Sequence, residues 1–140
     1  MISVLDTTAF AAAMRHEPGL VEFLRSRPPG EVATVPPVVA EIEYGIERID
    51  ASSRKRTLLE LERDRLLGIV KVLPWTADAS RRFGSIKAAL EREGELIDDF
   101  DIAIAAIAMS HDASVLTTNL AHFSRVSGLS CSHWGDKSDA

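Results

Sequence analysis

Apolar residues recur along the chain at two alternating periods, and the alternation predicts strands separated by helices. Met1 to Leu5 is a short apolar run of strand type. Asp6-Thr7-Thr8 closes it with side chains that cap helices well, and Ala9 to Met14 reads as the helix that follows. Pro18 opens a second helix with Leu20, Val21 and Leu24 on one face, and Pro28-Pro29-Gly30 cannot continue it. Glu31 to Val35 alternates as a second strand. Pro36-Pro37 suits a first helical turn, after which Val38, Val39, Ile42, Gly45, Ile46 and Ile49 recur at helical spacing. Ala51 to Leu67 sets mixed charges around Leu58, Leu59, Leu61, Leu66 and Leu67, the pattern of a surface helix laced with (i, i+3) and (i, i+4) pairs. Ile69 to Leu73 is a third strand stopped by Pro74. Thr76 caps the next helix, whose buried face is Ala79, Phe83, Ile86 and Leu90, and Gly94 ends it.

The stretch from Gly94 to Asn119 organises the rest. Asp98, Asp99 and Asp101 stand immediately ahead of Ile102 to Met109, a helix apolar on nearly every side that has to be buried. His111-Asp112 breaks it, and Ser114 to Thr117 follows as a strand, which predicts a helix lying against a parallel sheet. Aspartates in a first turn suit the positive end of the helix dipole, and capping accounts for one or two of them. It does not account for Asp101, which heads the core segment and, as a charge at a buried helix end, needs a partner. Leu129 to Trp134 reads as a short edge strand and Gly135 to Ala140 as a frayed tail. The predicted architecture is α/β, a three-layer α/β/α sandwich with a mainly parallel central sheet. It forms one domain over residues 1–134, with 135–140 as a C-terminal tail.

Composition narrows the function. A chain of 140 residues is long enough for a real core. A net charge of −5 argues against holding nucleic acid by bulk electrostatics, which leaves only a local groove for that purpose. A single cysteine, Cys131, excludes an internal disulfide framework and a multi-cysteine zinc site. The apolar runs are too short for a membrane span, and MISVLD lacks the basic start of a signal peptide, so a cytoplasmic location is expected.

The candidate chemistry rests on acids. Asp6 sits at the carboxyl end of the first strand, where open α/β sheets bind ligands, although the same position suits a helix cap. Glu41 lies early in its helix beside the apolar face, either as an edge residue or as a site residue. A phosphatase of the haloacid dehalogenase type needs a second aspartate two residues after the first, and Thr8 stands there. No lysine follows the pattern of a receiver domain. Tyr44 is expected to pack beside the Glu41 helix face. His16, His111 and His133 are expected at the surface, Asp98 as a cap, Asp99 in solvent, and Arg81, Arg82 and Lys87 on a solvated face.

DTT at 6–8, AEIEYG at 40–45, DIAIAAIA at 101–108 and LTTNLAHFSRVSGL at 116–129, followed by Trp134, resemble the PIN domain. They resemble in particular the VapC-type toxins of bacterial toxin–antitoxin pairs, over nearly the whole chain. The resemblance implies a metal-dependent ribonuclease, usually a homodimer, neutralised by a cognate VapB-like antitoxin. Asp6, Glu41 and Asp101 match the family carboxylates that hold Mg²⁺ or Mn²⁺. At the fourth corner Thr117, Asn119 and Phe123 match the motif T-x-N-x-x-[DE]-F, while His122 replaces its acid and Thr8 replaces a commoner Asn. Asn119 therefore joins Asp6, Glu41 and Asp101 in the expected catalytic set. The implied reaction is hydrolysis of an RNA phosphodiester by water, leaving 5′-phosphate and 3′-hydroxyl ends. The alternative is a PIN fold that serves only as a protein- or RNA-binding module. Hard divalent ions take about six oxygen ligands and keep several waters, so two or three carboxylates suffice. They also offset the repulsion between an acidic protein and RNA.

Overall fold

The computed structural model describes residues 1–136; residues 137–140, the end of the expected tail, lie outside the described residues. The strands are β1 (Ser3–Leu5), β2 (Val32–Thr34), β3 (Lys71–Val72), β4 (Ser114–Leu116) and β5 (Cys131–Ser132). The helices are α1 (Thr7–Met14), α2 (Pro18–Arg25), α3 (Pro36–Glu47), α4 (Arg54–Leu67), α5 (Ala77–Arg92), α6 (Asp99–Ser110) and α7 (Leu120–Phe123). All strand pairs are parallel, in the order β3-β2-β1-β4-β5. This is the expected α/β sandwich. α1 packs against α3 and α4, and α5 against α6. Right-handed crossovers put the helices of the two outward directions on opposite faces of the sheet.

Strand order decides where the site lies. From β1 the chain moves outward through β2 to β3, then crosses back to place β4 on the other side of β1. The connections leaving β1 and β4 therefore diverge, which opens a crevice at their carboxyl ends. β1 is central and buried throughout, and Val4 and Leu5 are fully enclosed. α6 lies deep in the core, with every residue from Ile102 to Ala108 buried. Its alanines let neighbouring elements approach closely, so the predicted all-round apolar helix is a packed one.

Several boundaries differ from the sequence pattern for local reasons. α1 begins at Thr7 because Asp6 itself is the N-cap. The run Ile69 to Leu73 shrinks to Lys71–Val72, an exposed pair on the sheet edge. The expected strand at Leu129 to Trp134 shrinks likewise to Cys131–Ser132. α7 has too short an apolar repeat to be read from periodicity. Gly94 adopts φ +67° just after α5, the left-handed turn that glycine accepts without strain. Gly135 and Asp136 form a turn closed on His133, whose backbone carbonyl accepts from Asp136 N–H at 3.0 Å. Trp134 is buried and its indole N–H donates to Glu17 Oε1 at 2.9 Å. Tyr44 corrects an expectation: it does not pack, and 67% of it is exposed. Among the described residues no helix is long and apolar enough to cross a membrane.

Candidate active site

Asp6 follows β1 directly, and its backbone N–H donates to the Leu116 carbonyl at 3.1 Å, joining the carboxyl ends of β1 and β4. The side chain is only 2% exposed. Its Oδ1 accepts from the Ala9 N–H at 2.9 Å and the Thr8 hydroxyl at 2.6 Å, and its Oδ2 accepts from the Thr117 hydroxyl at 2.5 Å. The carboxylate thus caps α1 through Oδ1 and reaches the end of β4 through Oδ2. Burial pushes its carboxyl above the usual range, and the donors from Thr117, Thr8 and Ala9 offset part of that rise.

Both threonines are themselves held. Thr8 Oγ1 accepts from Thr118 N–H at 3.0 Å, and Thr117 Oγ1 accepts from Asn119 N–H at 2.8 Å. Thr8, where the commoner family residue is Asn, still supplies a donor to Asp6. On the neighbouring strand the Thr34 hydroxyl donates to the Leu5 carbonyl at 2.9 Å, which pins the end of β2 to that of β1.

Glu41 reaches the site from α3, which starts at Pro36-Pro37 immediately after β2. Its Oε1 accepts from the Thr7 hydroxyl at 2.6 Å, so the residue next to Asp6 orients the second acid. Asp101 comes from the first turn of α6, after Asp98 has capped the helix by accepting from Phe100 N–H at 2.8 Å. Asp101 is half-buried, and its carboxyl is raised first by burial. Repulsion from Asp98, Asp6 and Glu41 raises it further, against a lowering contact with His122. Asp101 thus feels the charge of Asp6 and Glu41, while burial remains the main cause of its rise.

Asn119 and His122 form a hydrogen-bonded pair beside Asp101. The Asn119 side-chain nitrogen lies 2.7 Å from His122 Nδ1, and Nδ1 lies 3.6 Å from Asp101 Oδ2. A chain of contacts therefore runs from Asp6 through Thr117, Asn119 and His122 to Asp101. With the ring proton on Nε2, Nδ1 accepts from the Asn119 amide; with the proton on Nδ1, the ring faces Asp101 as a donor. The supporting roles of Thr7, Thr8 and Thr117 were not assigned from sequence; only the place of Thr8 and Thr117 within motifs pointed to them.

Among the described residues no Lys or Arg lies within 4 Å of Asp6, Glu41 or Asp101. Lys87 pairs with Asp99, two residues before Asp101, at 3.0 Å. His16 meets Glu62 at 2.8 Å, and His111 Nε2 meets the Pro74 carbonyl at 3.1 Å, so neither joins the site. Among the described residues no three His, Cys, Asp or Glu side chains come together in a group that could hold a metal ion. The donor set nevertheless fits a hard cation. Mg²⁺ takes one or two direct carboxylates and completes its shell with water, and carboxylate oxygens that already accept one hydrogen bond keep further lone pairs.

Comparison with known proteins gives the family. Residues 3–129 match the PIN domain family. The chain is 30% identical over 131 residues to Ribonuclease VapC2 of Haemophilus influenzae, covering 94% of this chain and 96% of the relative. It is 28% identical to the tRNA(fMet)-specific endonuclease VapC of Shigella flexneri, again over 94% of this chain and 96% of the relative. It also matches the crystal structure of VapBC2 from Rickettsia felis bound to a DNA fragment from their promoter. There the TM-score is 0.83 at 25% identity, over 96% of this chain and 99% of the matched one. The chain belongs to the PIN domain family, in its VapC group.

Proposed function

We propose that this protein is a divalent-metal-dependent endoribonuclease and the toxin of a toxin–antitoxin pair. In this reading Asp6, Glu41 and Asp101 hold Mg²⁺ or Mn²⁺, and Asn119 completes the catalytic set. One observation carries it: Asp6, 2% exposed at the end of β1, is linked through Thr117, Asn119 and His122 to Asp101, and its neighbour Thr7 holds Glu41, with no Lys or Arg within 4 Å of the three acids among the described residues. Uncompensated charge in such a place is costly, and a divalent cation offsets both the burial and the mutual repulsion. When bound, the ion supplies Lewis acidity towards a phosphoryl oxygen and a water nucleophile at neutral pH.

The chain's own groups do the positioning. Thr8, Thr117 and the Ala9 N–H hold the Asp6 carboxylate in a single orientation, and Thr7 holds Glu41. Asn119 presents a neutral amide that orients water or phosphate without adding charge. The names of the Haemophilus influenzae and Shigella flexneri relatives support RNA as substrate, and tRNA(fMet) is the first RNA to test. The likeness to VapBC2 supports a cognate antitoxin as partner, and the toxin is proposed to act as a homodimer. The deciding experiment incubates the protein with cellular RNA and with tRNA(fMet), with Mg²⁺ and with chelator. Cleavage that needs the metal and leaves 5′-phosphate ends is expected. RNA that is bound but never cut would instead identify a binding module.

A further inference from the structure

Tyr44 is a large aromatic side chain left 67% exposed, on the helix that carries Glu41. It lies three residues after Glu41, so the two occupy one face of α3 about one turn apart. Helical side chains lean towards the helix N-terminus, which tilts the ring back towards the Glu41 turn. Arg48, one turn further on, holds its guanidinium 5.7 Å from the centre of the Tyr44 ring. Arg48 makes no ion pair with a carboxylate among the described residues, so its charge is free for a ligand.

We propose that Tyr44, backed by Arg48, is a stacking shelf for a nucleobase of the RNA strand that crosses the Asp6, Glu41 and Asp101 carboxylates. This inference rests on the ribonuclease reading above. Single-stranded nucleic acid is held by aromatic faces for its bases and by cations for its backbone. An aromatic ring with an unpaired arginine against it supplies both within two turns. The carboxylate site repels RNA on its own account, and the net charge of −5 offers no general attraction, so a local shelf is what draws the strand in. Tyrosine and arginine also anchor protein interfaces, so loss of a protein partner alone is one outcome of the test below. The free guanidinium favours a polyanion.

Tyr44→Ala removes the shelf without disturbing the core, since alanine suits an exposed helical position. It is expected to raise KM for RNA by roughly 5- to 100-fold, with kcat and the melting temperature close to wild type, while Tyr44→Phe stays near wild type. Arg48→Gln is expected to raise KM less and to flatten its salt dependence. Tyr44 is the only tyrosine, so fluorotyrosine incorporation gives a single ¹⁹F resonance. That resonance should shift with single-stranded RNA of about 12 nucleotides and not with inorganic polyphosphate, which has no bases. If wild type cuts RNA but Tyr44→Ala keeps its KM and RNA leaves the resonance unmoved, the shelf is wrong while the ribonuclease reading stands. The shelf is equally wrong if Tyr44→Ala weakens only the binding of a protein partner. If RNA shifts the resonance but is never cut, the shelf stands and the ribonuclease reading fails. If RNA is neither cut nor shifts the resonance, both fail.

Discussion

The Thr117 hydroxyl donates to Asp6 Oδ2 across the carboxyl ends of β4 and β1, joining residues 111 positions apart in the chain. The same hydroxyl oxygen accepts from the Asn119 N–H, so one side chain fixes both the central acid and the start of the loop that carries the fourth corner. The family motif around Thr117 thereby acquires a physical purpose. Thr117→Val keeps the volume but leaves buried Asp6 Oδ2 without this donor. We expect a loss of about 1–3 kcal/mol of stability, read by denaturant melts, and a fall in cleavage. Wild-type stability in that variant would show the contact to be dispensable.

Asp101→Asn should fold normally and lose RNA cleavage, because the substitution removes charge at the mouth of α6 and changes little volume. Asp6→Asn should behave alike, and Glu41→Gln nearly so. Gel assays on the folded variants check this. Cleavage by Asp101→Asn at the wild-type rate would remove Asp101 from the site.

The raised carboxyls of Asp6 and Asp101 have a definite sign in stability. A carboxyl whose folded pKa lies above its unfolded one favours the native state when protonated, and that contribution is lost as pH rises through the folded value. Without metal, the protein at about pH 7 therefore carries the cost of burying charged Asp6 and Asp101, with some repulsion at Asp101, and that cost is absent in acid. Asp101→Asn should raise the melting temperature in chelator at neutral pH, and the gap should close below the unfolded carboxylate range. Millimolar Mn²⁺ or Mg²⁺ should stabilise wild type more than the variant, since it binds the native state. Equal metal effects on both proteins would contradict a shared anionic site.

The contact between Asn119 and His122 permits a ranking. Asn119→Ala should cost about 10- to 100-fold in activity, the usual cost of losing a supporting group at a metal site. His122→Ala should cost less, because His122 touches Asp101 only at 3.6 Å. Single-turnover rates decide the order, and a His122 variant as inactive as Asp101→Asn would reverse it.

The antitoxin should silence the site by charge. A partner segment lying along α3 is expected to bring an Arg or Lys to Asp6, Glu41 and Asp101, with Arg favoured for its bidentate fit to carboxylates. Replacing that cation in the partner should weaken inhibition far more than it weakens binding of the rest of the partner. A complex that leaves the three acids open to solvent would refute this.

Local physics wrote much of this protein into its sequence. Pro36-Pro37 starts α3, Thr76 and Asp98 cap α5 and α6, and the unbroken apolar run from Ile102 to Ala108 can only be a buried helix. The acids at the ends of these elements were legible for the same reason, since a charge beside a core segment stands out against the pattern. Tertiary structure alone decided what periodicity cannot carry. Strand order made β1 and β4 neighbours and so brought Asp6 to Thr117. It left Lys71–Val72 on an exposed edge and turned the Tyr44 ring to solvent. Helix and strand periods describe which side of an element is apolar, over a few residues. Which other element covers that side, and which hydroxyl meets which carboxylate, depends on contacts between residues far apart in the chain.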